Sequence, residues 1–262
     1  MPTLHDPIAF ALGPFEVRWY ALFIVLDIVL AVTLTMWIAN QRGLNGEILL
    51  DAAPVIVLAA IVGARLYYVL LEWDRYSNDL WGAINVRSGG LTIHGAILAG
   101  GLTAWLMLRK QEGSIWQWFD CIVPALALGQ AIGRWGNWAN QEAFGTPTTV
   151  PWAVTIDPSR RPNGYEQFST FHPTFLYESL LSLMLCTALT LLVLHQAKFR
   201  WYRSGMVFGI YILAYGVIRL ILERIRTDSL YIGPLPAAYW LSFAMIAIGL
   251  FVVLSRRSPE QG

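Results

Sequence analysis

The residues best suited to chemistry in this sequence are a few polar side chains set in long apolar stretches. Residues 133–142 bring together the guanidinium of Arg134, carboxamides and a carboxylate within a few positions. Arginine binds phosphate oxygens through two parallel hydrogen bonds and keeps its charge when it is buried. This string therefore indicates a site that holds a phosphate group.

A second polar group has helical spacing. Tyr215, Arg219, Glu223 and Arg226 follow one another at intervals of four, four and three residues, which places them on one face of a helix. An arginine on this face can join Arg134 in binding an anion. An intrahelical pair between Arg219 and Glu223, which neutralises both charges, explains the same spacing and remains an alternative.

A third candidate is the histidine in residues 88–95, a string that contains Gly89, Gly90 and His94. Backbone N–H groups are exposed at the start of a helix, and such groups favour an anion. An imidazole can take a proton from a thiol or a hydroxyl near neutral pH. Glycines that serve close helix packing and a hydrogen-bonded structural histidine are the alternatives for this string.

The sequence provides no obvious nucleophile of its own. Cys121 and Cys186 lie inside apolar stretches, where a thiol usually packs as a small apolar group. No serine stands in a nucleophile-elbow pattern, and no spacing of His, Cys, Asp or Glu is typical of a metal site. We therefore expect the nucleophile to come with a substrate or to be His94 itself, and we expect neither a metal nor another cofactor.

The composition indicates where these side chains are held. The 262 residues are 56% hydrophobic and 13% charged, whereas an ordinary soluble domain is about 25% charged. The net charge of +1 provides no basic surface for the phosphates of nucleic acid, so nucleic acid is not expected as a partner. We expect the chain to lie in a lipid bilayer.

Seven stretches approach the roughly 20 apolar residues that a helix needs to cross the hydrocarbon core. They are residues 19–39, 48–71, 90–108, 116–135, 173–194, 205–222 and 235–254. They predict an all-α polytopic membrane protein with seven transmembrane helices, which form a single membrane-embedded catalytic domain over residues 1–262. Gly136 and Asn137 are predicted as a turn, and residues 136–172 as a small outer head segment between helices 4 and 5.

Lysine and arginine in the short loops predict the orientation, because they are in excess on the cytoplasmic side. With the N-terminus outside, eight of them fall inside and five fall outside. The inner ones are Arg42, Arg109, Lys110, Lys198, Arg200, Arg203, Arg256 and Arg257, and the outer ones are Arg18, Arg75, Arg87, Arg224 and Arg226. The sequence therefore predicts an outer N-terminus and a cytoplasmic C-terminus.

This orientation brings polar groups from six predicted helices to the outer side of the membrane. They are Tyr20, Arg65, His94, Arg134, His172 and Arg219. Ionisable groups within a membrane usually face a cavity or one another, so their convergence indicates a site. Structural ion pairs, and side chains that reach towards the membrane surface, are the alternative explanation.

Other classes of protein remain possible at this point. A secondary transporter also has charged residues within the membrane, but it usually shows internal repeats and a site near the midplane. A structural protein or receptor would tolerate lysine in place of Arg134 and Arg219. Another enzyme that transfers phospholipid headgroups would need the same phosphate site.

Nearly the whole chain resembles the prolipoprotein diacylglyceryl transferase family, bacterial inner-membrane enzymes that act on phosphatidylglycerol and preprolipoproteins. The resemblance rests on motifs in the family's order, of which the arginine and asparagine signature is the most specific. They are Trp19-Tyr20, Gly89-Gly90 with His94-Gly95, Gly133-Arg134-x-Gly136-Asn137-x-x-Asn140-x-Glu142 ending near Gly145, His172-Pro173-Thr174 with Leu176-Tyr177-Glu178, and Tyr215-Gly216-x-x-Arg219-x-x-x-Glu223.

The resemblance implies an activity and a location. The family transfers the diacylglyceryl group from phosphatidylglycerol to the lipobox cysteine thiol of a preprolipoprotein, which forms a thioether and releases glycerol phosphate in the first step of lipoprotein maturation. The implied partners are phosphatidylglycerol, the signal peptide with its lipobox, and membrane lipids. The implied location is the bacterial inner membrane, with seven spans, a periplasmic N-terminus, residues 136–172 in the periplasm and a cytoplasmic C-terminus.

The resemblance also implies roles for particular residues. The histidine that activates the thiol corresponds to His94, and the arginines associated with the lipid phosphate correspond to Arg134 and Arg219. Further substrate-binding positions correspond to Tyr20, Asn137, Glu142, Gly145 and Tyr215.

Four positions depart from the family's usual pattern. Trp135 and Trp138 replace smaller aliphatic side chains or phenylalanine, Phe175 replaces a common glutamine, and Ala21 follows Tyr20 where glycine is common. These differences concern local packing and lipid preference rather than the reaction.

Overall fold

The computed structural model describes residues 1, 3–4, 6–13, 15–86, 89–200 and 202–256, without the side chain of Leu12. Arg87, Ser88 and Arg257, which entered the sequence predictions, lie outside the described residues. The helices are α1 (Trp19–Gln41), α2 (Ile48–Leu71), α3 (Trp73–Tyr76), α4 (Leu80–Ile84), α5 (Ile93–Leu108), α6 (Ile115–Asn140), α7 (Thr174–Leu194), α8 (Met206–Leu222) and α9 (Ala237–Arg256). The strands are β1 (Ile8–Leu12), β2 (Phe15–Arg18), β3 (Val154–Thr155), β4 (Thr170–Phe171), β5 (Tyr231–Ile232) and β6 (Leu235–Pro236).

Six helical segments in the described ranges are long and apolar enough to cross a membrane, namely α1, α2, α6, α7, α9, and α8 together with the 3₁₀ turn that follows it, Met206–Ile225. The prediction of a polytopic helical membrane protein is therefore confirmed. Helix α5 is apolar but has only 16 residues, a rise of about 24 Å against a hydrocarbon core of about 30 Å. It begins at Ile93 rather than at Gly90, because Gly89 and Gly90 have φ values of +81° and +77°, which no α-helix adopts.

The predicted turn at Gly136 and Asn137 is wrong, because α6 continues through both residues to Asn140. The chain leaves the helix at Gln141 and Ala143, where φ is +53° and +56°. These values are unusual for residues with a side chain. The connection to α7 therefore begins at Gln141, and Asn137 occupies a helical position.

Contacts divide the chain into two compact units, one formed by residues 1–42 with 119–262 and the other by residues 43–118. In the unit 43–118, α2 packs against α5 at very short distance. A Cβ atom on Gly63 would lie 2.6 Å from the carbonyl oxygen of Gly95, and a Cβ atom on Gly95 would lie 2.2 Å from that of Gly63. The two helices can approach this closely because both contact positions are glycine.

In the other unit, a small apolar core forms between α6 and α7. Strands β3 and β4 pair antiparallel, with Val154 opposite Phe171. The buried core contains Phe144, Val154, Ile156, Phe171 and Phe175, and Trp135, Trp138, Tyr165 and Leu176 pack against it. This core fixes the loop that follows α6 to the start of α7.

A buried carboxylate fixes the start of α8. Asp120 of α6 accepts hydrogen bonds from the backbone N–H groups of Gly205 and Phe208, at 2.7 and 2.9 Å. Tyr202 donates its hydroxyl to the same carboxylate at 2.6 Å. Burial and the neighbouring Asp120 carboxylate raise the pKa of Tyr202, which keeps this donor protonated. These bonds hold the helix that carries Tyr215 and Arg219 against α6.

Candidate active site

The centre of the candidate site is a carboxylate shared by two arginines. Nη2 of Arg134 on α6 lies 2.6 Å from Oε1 of Glu178 on α7, and Nη1 of Arg219 on α8 lies 3.3 Å from Oε2 of the same residue. Tyr215 donates its hydroxyl to Oε1 at 3.1 Å. Glu178 therefore joins three helices and holds two like charges beside each other.

A second carboxylate completes this cluster. Nη2 of Arg219 donates to Oε2 of Glu223 at 3.0 Å, and the hydroxyl of Ser229 donates to the other oxygen at 2.7 Å. The intrahelical pair between Arg219 and Glu223, which was one reading of the sequence, is therefore formed. Arg219 uses different nitrogen atoms for its two partners, Nη2 for Glu223 and Nη1 for Glu178. The pair with Glu223 therefore occupies only part of the guanidinium group.

The accessible part of the cluster is cationic. The side chains of Arg134 and Arg219 are 22% and 17% exposed, whereas those of Glu178 and Glu223 are 2% and 3% exposed. Formal charges of two arginines and two glutamates cancel, which makes the cluster tolerable within a membrane. An incoming group therefore meets the arginine side chains rather than the carboxylates, and arginine favours an anion.

Arg226 does not belong to this cluster, contrary to the helical spacing. Helix α8 ends at Leu222 and a 3₁₀ turn covers Glu223–Ile225, so the four-residue spacing no longer applies. Arg226 instead binds Asp228 through two hydrogen bonds, at 2.9 and 2.8 Å.

The carboxamides of the signature string meet at Glu142. Asn137 and Asn140 each donate a side-chain hydrogen bond to Oε1 of Glu142, at 3.0 and 3.2 Å. The residue before Glu142, Gln141, is held by two hydrogen bonds with Asp157, at 2.7 and 2.8 Å. Glu142 lies between two residues with positive φ, Gln141 and Ala143, and its carboxylate turns back to the end of α6. Backbone strain of this kind is often found at functional sites.

Gly145 lies where a side chain does not fit. Its N–H donates to the carbonyl of His172 at 2.9 Å, and the next N–H, from Thr146, donates to Ile225 at 2.7 Å. A Cβ atom on Gly145 would lie 2.8 Å from both the Cβ of His172 and the carbonyl oxygen of Ile225. The glycine thus allows the loop to pass between the start of α7 and the end of α8.

Tyr20 lies against the glycine of the same signature. A Cβ atom on Gly136 would lie 2.4 Å from Cδ2 of the Tyr20 ring, whereas a Cβ atom on Gly133 would meet nothing within 4 Å. Tyr20 as a whole residue is exposed. Tyr20 of α1 is therefore packed on α6 at Gly136, two residues after Arg134.

His94 is in the unit 43–118, where it is the second residue of α5 and is exposed. Its ring lies 6.2 Å from that of Tyr67 on α2. The sequence predicted that His94 converges with Arg134 and Arg219, which are in the other unit. That convergence stays a prediction.

Arg65 was expected among the converging polar groups but has another role. It is 4% exposed and donates hydrogen bonds to four backbone carbonyl groups in its own unit, those of Gly82, Ala83, Gly89 and Gly90. Its guanidinium is therefore engaged in holding the chain between α4 and α5.

Sequence reasoning did not list Glu178 among the site residues, although it joins both arginines. The signal was present, since Glu178 is the one charged residue in the apolar stretch 173–194. Within the described ranges, no group of three or more His, Cys, Asp and Glu side chains could hold a metal ion.

Comparisons with known proteins agree with the resemblance seen in the sequence. The profile of the family described as "Prolipoprotein diacylglyceryl transferase" matches residues 7–255. Three relatives carry the name phosphatidylglycerol–prolipoprotein diacylglyceryl transferase. The protein from Synechococcus elongatus is 43% identical over 95% of this chain and 86% of its own, that from Gloeobacter violaceus 43% over 99% and 96%, and that from Acaryochloris marina 44% over 98% and 95%.

Proposed function

This chain belongs to the prolipoprotein diacylglyceryl transferase family, and from that premise we propose how its residues carry out the reaction. The protein is a transferase of lipoprotein maturation that moves a diacylglyceryl group from phosphatidylglycerol to a prolipoprotein. We further propose which residues act on the substrates, how the lipobox thiol reacts, and how the chain is oriented in the membrane.

The reaction is a direct displacement at a carbon atom of the lipid glycerol. The lipobox cysteine sulfur forms a bond to the terminal glycerol carbon of the diacylglyceryl group, and the bond from that carbon to the phosphate oxygen breaks. The electron pair of the broken bond leaves with glycerol phosphate, and the thiol proton passes to a base. No enzyme nucleophile is needed, and both Cys121 and Cys186 are buried.

Arg134 and Arg219 hold the phosphate of the lipid. The observation that carries this role is their shared attachment to Glu178, because it keeps two guanidinium groups close enough to act on one phosphate. Negative charge grows on the phosphate as the carbon–oxygen bond breaks, so these arginines stabilise the transition state more than the bound lipid. Tyr215 steadies the same carboxylate.

His94 accepts the thiol proton or orients the group that does. The remaining residues of the substrate site are Tyr20, Asn137 and Glu142, together with Gly145. Asn137 and Glu142 are already hydrogen-bonded to each other, and this leaves a carboxylate oxygen and amide groups available to polar atoms of the headgroup or of the lipobox backbone. Gly145 acts by shaping the loop rather than by a contact of its own.

The protein crosses the bacterial inner membrane seven times, with the N-terminus in the periplasm and the C-terminus in the cytoplasm. Helix α5 is the third of these seven spans, and residues 89–92 before it add to its length of 16 residues. Residues 141–172 then lie in the periplasm between α6 and α7. The excess of basic residues in the inner loops supports this orientation.

One reconstitution tests the proposal. Purified protein is mixed with phosphatidylglycerol labelled in its acyl chains and with a lipobox peptide, or with the same peptide carrying serine in place of cysteine. We expect label on the cysteine peptide only, with one glycerol phosphate released for each peptide modified. Transfer to the serine peptide at a similar rate, or release of glycerol phosphate without peptide, would contradict direct attack by the thiol.

A further inference from the structure

We propose that Arg65 is a positioning residue for His94, through its grip on the backbone that leads into α5. The inference rests on the proposed role of His94 in accepting the thiol proton. It concerns the unit 43–118 alone, in which α2, α4 and α5 are held together at one turn of α2.

The Arg65 guanidinium fixes two pieces of chain at once. Its Nε and Nη2 atoms donate to the carbonyl oxygens of Ala83 and Gly82 at 2.8 and 2.6 Å, near the end of α4. Nη1 donates to the carbonyl oxygens of Gly89 and Gly90 at 2.5 and 3.0 Å. All three nitrogen atoms are therefore used, and the planar fork sets the separation between α4 and the glycine pair.

The glycine pair is shaped to meet this fork. Gly89 and Gly90 both have positive φ, and this turns successive carbonyl groups towards Arg65. A Cβ atom on Gly90 would lie 2.7 Å from Nη1 of Arg65 and 2.3 Å from the ring of Tyr68. The rings of Tyr68 and Tyr76 lie 5.7 and 5.1 Å from the guanidinium carbon, which confines the charge further.

The residues between the glycine pair and His94 are also bound to α2. Thr92, which precedes the first residue of α5, donates both its N–H and its hydroxyl to the carbonyl of Ala64, at 3.2 and 3.1 Å. His94 follows two residues later, and its ring packs on Tyr67 of the same turn of α2. Residues 64–68 thus contact the chain that enters α5 at Gly90 and Thr92, and α5 itself at His94.

A lysine at position 65 would keep the charge but could not replace this role. Its ammonium group is a single centre, so it cannot reach carbonyl groups of α4 and of the glycine pair with the fixed geometry of a fork. The start of α5 would then shift relative to α2, and the imidazole would shift with it. Misplacing a catalytic group by about 1 Å can lower the rate on the order of a hundredfold.

The test compares kcat and KM for phosphatidylglycerol in Arg65→Lys with those of Arg109→Lys. Arg109 is an exposed arginine just after α5 and serves as the matched control. We expect Arg65→Lys to lower kcat at pH 7 by about tenfold or more with little change in KM, since a base is displaced while the phosphate site is untouched. Arg109→Lys should match the wild type. An unchanged kcat in Arg65→Lys, or a change confined to KM, overturns the proposal.

A double variant separates positioning of His94 from a general structural role. At about pH 9 much of the substrate thiol is ionised without help, since a free cysteine titrates near 8.5. There, His94→Gln should recover measurable activity, and adding Arg65→Lys should lower it no further, because Arg65 acts through His94. A further loss in the double variant overturns the proposal.

Two further results bear on the inference, namely an Arg65 variant that does not fold and a His94 variant that keeps its activity. If Arg65→Lys does not fold, Gly89→Ala takes its place, since a side chain disfavours the positive φ that turns the Gly89 carbonyl towards Nη1 of Arg65; a kcat equal to wild type in Gly89→Ala then overturns the inference. If His94→Gln alone keeps full activity at pH 7, the proposed role of His94 fails, and the positioning inference fails with it for that separate reason.

Discussion

Arg134 and Glu178 form an ion pair of 2.6 Å between α6 and α7. Arg219 of α8 shares the same carboxylate, so this single buried side chain is the common point of three helices. A membrane interior makes an unpaired charge costly, and this cost gives each of the three groups a strong influence on the others. Changes at Glu178 should therefore affect both arginines.

We expect Glu178→Gln to lose most transfer activity while the protein still folds. The amide keeps the size of the carboxylate, but it leaves two guanidinium groups with less compensating charge and one fewer acceptor. Transfer to the lipobox peptide should fall by about tenfold or more, as for other removed partners of buried charges. The initial rate in detergent, at matched protein amounts, measures this.

Asp228→Asn is the matched control for that change. It removes the carboxylate from an ion pair with Arg226 in which the Asp228 side chain is 45% exposed. Exposed pairs contribute little, so activity and thermal stability should stay close to wild type. If Glu178→Gln had no larger effect than Asp228→Asn, the shared carboxylate would not be important for the reaction.

A second prediction concerns Gly145. We expect Gly145→Ala to lower the unfolding temperature, because the added methyl group would press on the Cβ of His172 and on the carbonyl of Ile225. Overpacking of this kind costs about 1–3 kcal/mol. Gly133→Ala is the control, since a methyl group there meets open space. Equal unfolding temperatures for both variants would show that the loop adapts and that the crowding is unimportant.

The sequence predicted most of the helices because apolar length is a strong signal in a membrane protein. The stretch 48–71 coincides with α2, and the ends of α7 and α8 agree within one residue. The two largest differences in the helix boundaries, at the end of α6 and the start of α5, have local reasons. Gly136 and Asn137 look like a turn in sequence but stay helical, and Gly90 looks helical but takes a positive φ to reach Arg65.

The site was only partly predictable, because spacing shows a helical face but not the partner across from it. The arginines of the site were identified from their type, whereas Glu178 gained its importance from packing of three helices. The departures Trp135, Trp138 and Phe175 illustrate the same limit. They come from two helices, yet their rings lie 5.5 to 6.4 Å apart in one cluster.

A third prediction concerns the source of the nucleophile. We expect a protein with Cys121→Ser and Cys186→Ser to keep substantial activity, because the thiol that attacks belongs to the prolipoprotein. A protein cysteine as nucleophile would instead produce a covalent diacylglyceryl intermediate and ping-pong kinetics. A double variant that folds but is inactive would contradict direct transfer. So would wild-type protein that takes up lipid label without peptide.

A fourth prediction concerns orientation in the membrane. A reporter fused after Gly262, or inserted in residues 198–203, should report the cytoplasm, and a reporter inserted in residues 157–164 should report the periplasm. The proposed reaction requires the second result, since the lipobox reaches the enzyme from the translocated side. A cytoplasmic signal from residues 157–164 would contradict the proposed orientation, because the site would then face away from the translocated lipobox.

The arginines themselves provide the sharpest prediction. Arg134→Lys and Arg219→Lys keep the positive charge but lose the planar fork that binds a phosphate through two hydrogen bonds. Arg160→Lys, at an exposed position of the loop between α6 and α7, provides the control for the same chemical change.

The initial rate at which each variant transfers labelled diacylglyceryl from phosphatidylglycerol to a lipobox peptide tests this account most directly. We predict that Arg134→Lys and Arg219→Lys fold, remain in the membrane and lose activity by about a hundredfold, the scale for removal of one transition-state donor. Arg160→Lys should transfer at the wild-type rate. Near wild-type transfer by either Arg134→Lys or Arg219→Lys, at matched protein levels, would contradict the claim that these two arginines hold the departing phosphate.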